Sequence, residues 1–369
     1  MKNINFNFLK ENFINKNVFI TGHTGFKGSW LAFILSEAGA NVTGYARAPI
    51  EKENHFDMLN LKKKINHIDG DIRDFKKLAS SIENSSPEYV FHLAAQALVK
   101  PSYEKPTETF ETNIMGSVNL LESVRICKTV QSLVYVTSDK CYENVEWIWG
   151  YRENDMLGGI DPYSASKASA ELVFSSYQRS FFYSKENFGA ASARAGNVIG
   201  GGDWSKYRII PDCIKAIKNK ENLKLRNPSS TRPWQHVLEP LSGYLTLAEN
   251  LTQSSENNGQ PYNFGPPDNQ DFSVKELIDE MTKYWSSVKW KDVSNSKDNP
   301  HEAGLLKLNC EKALSQLNWE PTMNFEQTVK MTTAWYKEFY SANESNMYEY
   351  TLGQIEEYEL LAKKLLRVW

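Results

Sequence analysis

Tyr163 and Lys167 stand four residues apart in the stretch DPYSASKASAE, so on a helix they share one face. A phenol ordinarily loses its proton at about pH 10, and a neighbouring ammonium favours the phenolate. A tyrosine so placed can take a proton from a hydroxyl while the adjacent carbon gives hydride to a bound nicotinamide ring. A second cluster, Ser138-Asp139-Lys140, sets a hydroxyl, a carboxylate and an amine in succession, the types that acid–base work requires. A third feature is the spacing Gly22-x-x-Gly25-x-x-Gly28, between a short apolar run and an amphipathic one. Glycines there let backbone approach a ligand, and the N–H groups that open the following helix face an anion. Each feature alone also fits a bland reading: an exposed Tyr–Lys pair, a solvated turn, an ordinary glycine turn. Their coincidence in one chain favours chemistry on a phosphate-bearing cofactor.

These residues need a frame, and the pattern of apolar runs supplies one. Short strand-like runs at residues 18–20, 41–46, 65–74, 87–96, 132–140 and 187–200 alternate with helix-length stretches such as 29–37, 110–125 and 164–180. That alternation predicts crossover units and a doubly wound parallel sheet covered on both faces, with ligands at the C-terminal strand ends. The candidate chemistry falls at those ends: the glycine turn, Asp71, Ala94-Ala95-Gln96 and Ser138-Asp139-Lys140. Beyond residue 200 the texture becomes loop-rich (GGGDW, RNPSSTRPWQH, NFGPPDNQDFS), with helical stretches at 274–284, 310–317 and 325–340. The expected division is a dinucleotide-binding domain at 1–199, to which 233–262 returns, and a smaller lobe over most of 200–369 that supplies a substrate pocket.

Composition excludes several classes. With 369 residues, 41% hydrophobic and 12% aromatic, the chain can bury a full core, and a formal net charge of −3 argues against a nucleic-acid partner. Cys127, Cys141, Cys213 and Cys310 form no C-x-x-C pair, and the six histidines fall at no metal-ligand spacing, so no metal is expected. No run approaches the length of a membrane span and the polar N-terminus lacks an apolar leader core, so a cytoplasmic protein is expected.

The glycine spacing, the turn DGDIRD and Tyr163-x-x-x-Lys167 resemble the extended short-chain dehydrogenase/reductase superfamily. Within it, TGHTGFKGSWL, FHLAAQALV, VTSDKCYEN, WIWGYRE, DPYSASK, GNVIGGGDW and RPWQHVLEPLSGYL are similar to the CDP-glucose 4,6-dehydratases, over about residues 18–335. The resemblance implies an α/β Rossmann-type sheet with a C-terminal α+β substrate-binding lobe, and assembly as a homodimer or a dimer of dimers through helices near 110–125 and 164–180. It implies a lyase that removes water from a nucleotide-activated hexose, most closely CDP-glucose, in deoxysugar biosynthesis. The C4 carbon is oxidised, water leaves across C5–C6, and hydride returns to C6, so net redox is zero. Tyr163, Lys167 and Ser138 would oxidise C4, and Asp139 would protonate the leaving hydroxyl. The acceptor of the C5 proton stays open, because Lys140, where dTDP-glucose dehydratases carry glutamate, must be neutral to serve.

By the same resemblance the dinucleotide is held by Gly22, Thr24, Gly25, Phe26 and Gly28, by Leu93, Ala94, Ala95 and Thr137, and by Tyr163 and Lys167. Asp71 and Ile72 would hold the adenine. Gln96, Asn197, Arg208, Arg232, Trp234 and His301 would meet the substrate, arginines gripping the pyrophosphate bidentately. Trp234 and Trp204 fit a base or sugar contact and a core role equally. The cofactor reading is divided: the second strand ends in GYARAP, where an NAD-selective fold places an acid, and Arg47 could instead pair with the phosphate of NADP. The family uses NAD without that acid, so NAD is expected, weakened by one or two ribose hydrogen bonds of roughly 0.5–1.5 kcal/mol each. An epimerase on this fold, or a silent dinucleotide sensor, are the competing readings.

Overall fold

The structure, a computed structural model, describes residues 7–267, 270–294, 304–341 and 346–367. Seven strands form its central sheet: β1 (Asn17–Thr21), β2 (Asn41–Ala46), β3 (Asn66–Asp69), β4 (Tyr89–His92), β5 (Ser132–Val136), β6 (Gly189–Ala195) and β7 (Pro261–Phe264). All pair in parallel, in the order β7-β6-β5-β4-β1-β2-β3. The chain winds outward through β2 and β3, then crosses back to β4 on the other side of β1. The strand order therefore reverses between β1 and β4, where a doubly wound sheet opens a crevice at its C-terminal edge.

Period-two side chains build two apolar layers. Val18, Ile20, Phe91, Val134 and Val136 face one layer, shared with Trp30, Leu31 and Ile34 of α1 (Phe26–Glu37). Phe19, Val90, Leu133 and Tyr135 face the other, covered by α2 (Phe75–Ser85), α3 (Gly116–Ile126) and α4 (Pro162–Tyr177). Helix α5 (Ile209–Asn219) follows β6 in the chain, and α6 (Leu238–Gln253) packs on the sheet. There Leu241, Tyr244, Leu245 and Leu247 join the first layer and Ser132 Oγ donates to the Ala248 carbonyl (2.8 Å). Beyond it lie α7 (Val274–Tyr284), α8 (Phe325–Ser341) and α9 (Met347–Lys364). Among the described residues no helix is long and apolar enough to cross a membrane, and no group of three or more His, Cys, Asp or Glu could hold a metal ion.

Several boundaries differ from the sequence reading, each for a local reason. The third strand stops at Asp69: Gly70 lies against the Tyr45 ring, and Asp71 accepts from the Arg73 amide (2.9 Å) to close a turn. The fifth ends at Val136 because Ser138 Oγ accepts from the Lys140 amide (3.2 Å) and caps a 3-10 turn over Asp139–Cys141. The stretch expected as one helix at 110–125 is Pro106–Phe110, a π-helical turn at Glu111–Met115, and α3. Among the longer helices of the described residues, α2, α5, α6 and α9 went unread. The last is anchored by Tyr358, whose hydroxyl donates to Glu239 Oε2 (2.9 Å), a buried carboxyl pushed up to about 7 by desolvation.

Candidate active site

The turn after β1 is shaped by what its glycines lack. Gly22 has φ +77°, and a Cβ there would lie 2.7 Å from the Ala94 amide nitrogen at the end of β4; one on Gly28 would lie 2.1 Å from the Gly22 carbonyl oxygen. The two glycines thus let α1 and the β4 end close on one turn. A Cβ on Gly25 meets only the Gly22 carbonyl, at 3.4 Å, and Gly25 caps α1 with no side-chain hydrogen bond. The first-turn N–H groups of α1 keep no side-chain acceptor, which fits a pyrophosphate drawn by the helix dipole.

A cleft of about 360 Å³ opens beside this turn. Thr137, Ser138, Asp139 and Lys140 line it from the end of β5, Tyr163 and Lys167 from the first turns of α4, and Phe26, Leu93 and Ala95 from the β1–β4 crevice. Asn197, Arg208, Arg232 and Trp234 line its other wall. Asp161 caps α4 by accepting from the Ser164 amide (3.0 Å), and Pro162 opens it, so Tyr163 and Lys167 project from a fixed helix end. Burial pushes the Tyr163 phenol up to about 12; the Ser138 hydrogen bond and Arg208 oppose the rise. Burial also pushes Lys167 down to about 8, against the pull of Glu171. Asp139 is buried, its Oδ1 accepting from Ser138 Oγ (3.0 Å) and its Oδ2 from Asn197 Nδ2 (3.4 Å). It fits because Gly196 is bare: a Cβ there would lie 1.7 Å from Oδ2.

Other expected residues are placed differently. Gln96 is absent from the cleft lining: its amide donates to Thr109 Oγ1 and the Leu98 carbonyl (3.0 Å each), and its Oε1 accepts from the Leu98 amide (2.6 Å). It shapes the loop after β4. The Asp71 carboxylate is held by Arg73 through Nε (3.0 Å) and an NH2 contact (2.7 Å), and that pairing lowers its pKa. Ile72 is buried against Gly116, leaving its backbone as the part able to meet an adenine. Arg47 is half-exposed, reaches Glu108 (3.5 Å), and accepts from Thr24 Oγ1 at its carbonyl (2.8 Å). Trp204 belongs to the core, packed on Trp335, Tyr336 and Phe339. Trp234 lines the cleft with its Nε1 donating to the Phe272 carbonyl (2.9 Å). Arg208 pairs with Asp203 (2.9 Å), and Arg232 NH1 donates to the Thr231 carbonyl (2.7 Å). Cys141 is a buried thiol pushed up by desolvation. His301 lies outside the described residues.

The sequence reading missed Lys27, although it stands between two of the quoted glycines. Its Nζ donates to Tyr244 Oη (3.2 Å) and lines the same cleft, and burial, with Lys167 and Arg208 nearby, pushes it down to about 7. The fold disfavours its charged form. Lys27→Met is therefore expected to stabilise the protein by up to about 5 kcal/mol below pH 7, a gain that fades as pH rises toward 10.5. Urea midpoints at about pH 6, below both pKa values, and at about pH 9, between them, check this; an equal gain at both, or a loss, would contradict it. Arg226 and Asn227, which also line the cleft, were likewise unread, because loop residues carry no periodic signal.

Comparison with known proteins gives matches over most of the chain. The family model described as GDP-mannose 4,6 dehydratase matches residues 19–332. The chain is 48% identical over 327 residues to the CDP-glucose 4,6-dehydratase of Salmonella typhimurium, covering 87% of this chain and 90% of that protein. The structure of UDP-glucose 4-epimerase from Brucella ovis in complex with NAD matches with a TM-score of 0.74 at 20% identity, over 87% of this chain and 98% of that one. The dTDP-glucose 4,6-dehydratase of Streptomyces venezuelae, solved with NAD, matches with a TM-score of 0.72 at 23% identity, over 87% and 97%.

Proposed function

Because the chain belongs to the GDP-mannose 4,6-dehydratase family of nucleotide-sugar enzymes, we propose that it converts CDP-glucose to CDP-4-keto-6-deoxyglucose. The observation that carries this is the convergence in one cleft of an oxidising pair, Tyr163 and Lys167, with the acid–base strand end Ser138-Asp139-Lys140. The Salmonella relative's name supports cytidine as the nucleotide. A 4-epimerase would use Tyr163 and Lys167 in the same way, but it gives the buried Asp139 no work.

The glycine turn fits NAD, which when bound accepts hydride from C4 and returns it to C6. Gly22, Gly25 and the α1 N-terminus would hold its pyrophosphate. Tyr163 Oη takes the proton of the C4 hydroxyl, steered by Ser138 Oγ, and the Lys167 ammonium favours the phenolate. The resulting C4 ketone acidifies the C5 proton. Asp139, in its protonated form, would give its proton to the departing C6 hydroxyl, while Lys140, beside it on the cleft wall, would take the C5 proton as a neutral amine and give it back to C5 when hydride reaches C6. Arg208 and Arg232 offer donors to the substrate pyrophosphate, and Asn197 orients Asp139 as well as facing that wall. A homodimer through α3 and α4 would cover Met115 and Leu172, which are exposed. Offering CDP-, dTDP-, GDP- and UDP-hexoses and measuring the alkaline absorbance of a 4-keto-6-deoxy product tests the reading. Product from CDP-glucose in preference to the others supports it; product from another nucleotide only would reassign the substrate.

Selection between dinucleotides follows from the Arg47–Glu108 contact. A 2′-phosphate drawn to Arg47 would also meet the Glu108 carboxylate, so NAD is expected to bind at least about ten times more tightly than NADP, or 1.4 kcal/mol. Glu108→Gln should narrow the ratio. Calorimetric titration of both dinucleotides decides it, and NADP binding tenfold tighter than NAD would give Arg47 the phosphate.

A further inference from the structure

We infer that Glu171, paired with Arg194, is a positioning residue for this reaction: it fastens the catalytic end of β5 and sets a carboxylate one helical turn from Lys167. Glu171 lies four residues beyond Lys167 on α4, on the same face, and is buried. Its Oε1 accepts from Thr137 Oγ1, and its Oε2 accepts from Ser192 Oγ (2.8 Å) and from Arg194 NH2 (2.7 Å). Both side chains of the ion pair are only 3% exposed. Arg194 NH1 continues to Tyr142 Oη (2.8 Å) and the Glu153 carbonyl (2.9 Å), and Tyr142 donates to Asn263 Oδ1 (2.7 Å). One carboxylate thus ties α4 to β6 and to Thr137, the residue directly before Ser138 and Asp139. The network also grips both sides of the catalytic turn, through Thr137 before it and Tyr142 after it.

A buried ion pair is no bargain for stability, since desolvation offsets its attraction, so its presence beside the cleft asks for another reason. The charges around Lys167 supply one. Lys27 from α1 repels it, His92 from β4 is held neutral, pushed down to about 3 by burial, and Tyr163 and Cys141 are neutral groups pushed up by burial. Asp139 lies across the cleft. Glu171 is the charge that most favours the Lys167 ammonium, and Arg194 favours the ionised form of Glu171 itself.

The inference depends on the dehydratase reading only through the use of Tyr163 and Lys167, and its main readout needs no substrate. Competitive acetylation of the apo-protein across pH, followed by peptide mass spectrometry, reports the Lys167 titration. Glu171→Gln keeps the shape and removes the charge. Its Lys167 midpoint is expected to fall by about one unit, with the alkaline limb of kcat/KM moving down equally, because the ammonium is the working form. Glu171→Asp keeps the charge and should leave the midpoint in place while kcat falls. Thr137→Val removes a tether without touching the charge, and should lower kcat by about tenfold with the Lys167 midpoint unmoved. A folded Glu171→Gln with an unshifted Lys167 overturns the electrostatic role, and a Thr137→Val of wild-type kcat overturns the positioning role. Should Glu171→Gln fail to fold, the Asp and Val variants decide: a shifted midpoint in either, or unchanged kcat in both, refutes the inference. If the protein forms no product from any nucleotide hexose, the reaction reading fails while the Lys167 titration still judges this one.

Discussion

Tyr163→Phe is expected to lower turnover by on the order of 10²–10⁴-fold while leaving substrate affinity and the fold nearly intact. The hydroxyl it removes faces Ser138 at the cleft. The backbone contact that seats the residue, its amide donating to Ser102 Oγ (3.2 Å), survives the change. The ring stays buried, so little packing is lost. What disappears is the group that takes the C4 proton, and no neighbouring side chain replaces it: Lys167 is cationic in its working form and Ser138 has no base of its own. Steady-state rates with unchanged thermal unfolding check this. Activity within a few-fold of wild type would remove Tyr163 from the chemistry.

Asp139→Asn should fail at a different step, with a comparable loss of product formation of roughly 10²–10⁴-fold. The substitution is nearly isosteric, so the close seat over Gly196 is kept, and an amide can still meet Ser138 and Asn197. Oxidation of C4 remains open, because Tyr163, Lys167 and Ser138 are untouched. Departure of the C6 hydroxyl does not, since an amide offers no acidic proton. Reduced cofactor should therefore accumulate in a single turnover, seen as its absorbance band rising and persisting. Slow product formation with no such band would move Asp139 to the first step or out of the mechanism.

The parts of this site legible in the sequence are those set by local geometry. Tyr163 and Lys167 share a face because a helix repeats that way, and Asn41–Ala46 reads as a strand because its β-branched and small residues sit between turn signals. The glycine spacing announces a turn because other residues would clash there, and the clash distances at Gly22 and Gly28 bear this out. What escaped is set by contacts distant in sequence. Lys27 becomes a cleft residue only when Tyr244, Lys167 and Arg208 arrive around it. Gln96 looked like a substrate contact from its place after β4, and leaves the cleft because Thr109 and the Leu98 backbone satisfy its amide. Helix α6 hid behind a proline and a glycine in LEPLSGYL, residues that weaken helix propensity but here sit in its first turns, packed against the sheet. Glu171 carried no local mark at all, because its meaning lies in Arg194 on β6.

The most direct test of the account follows the hydrogen at C4. CDP-glucose deuterated at C4 should give a 4-keto-6-deoxy product whose C6 methyl group carries the deuterium, detected by NMR and by a one-unit rise in mass, because oxidation, loss of water and hydride return all occur within one cleft at Tyr163 and Asp139. Deuterium retained at C4 of an epimerised sugar, or lost to solvent with no label in a methyl group, would contradict it.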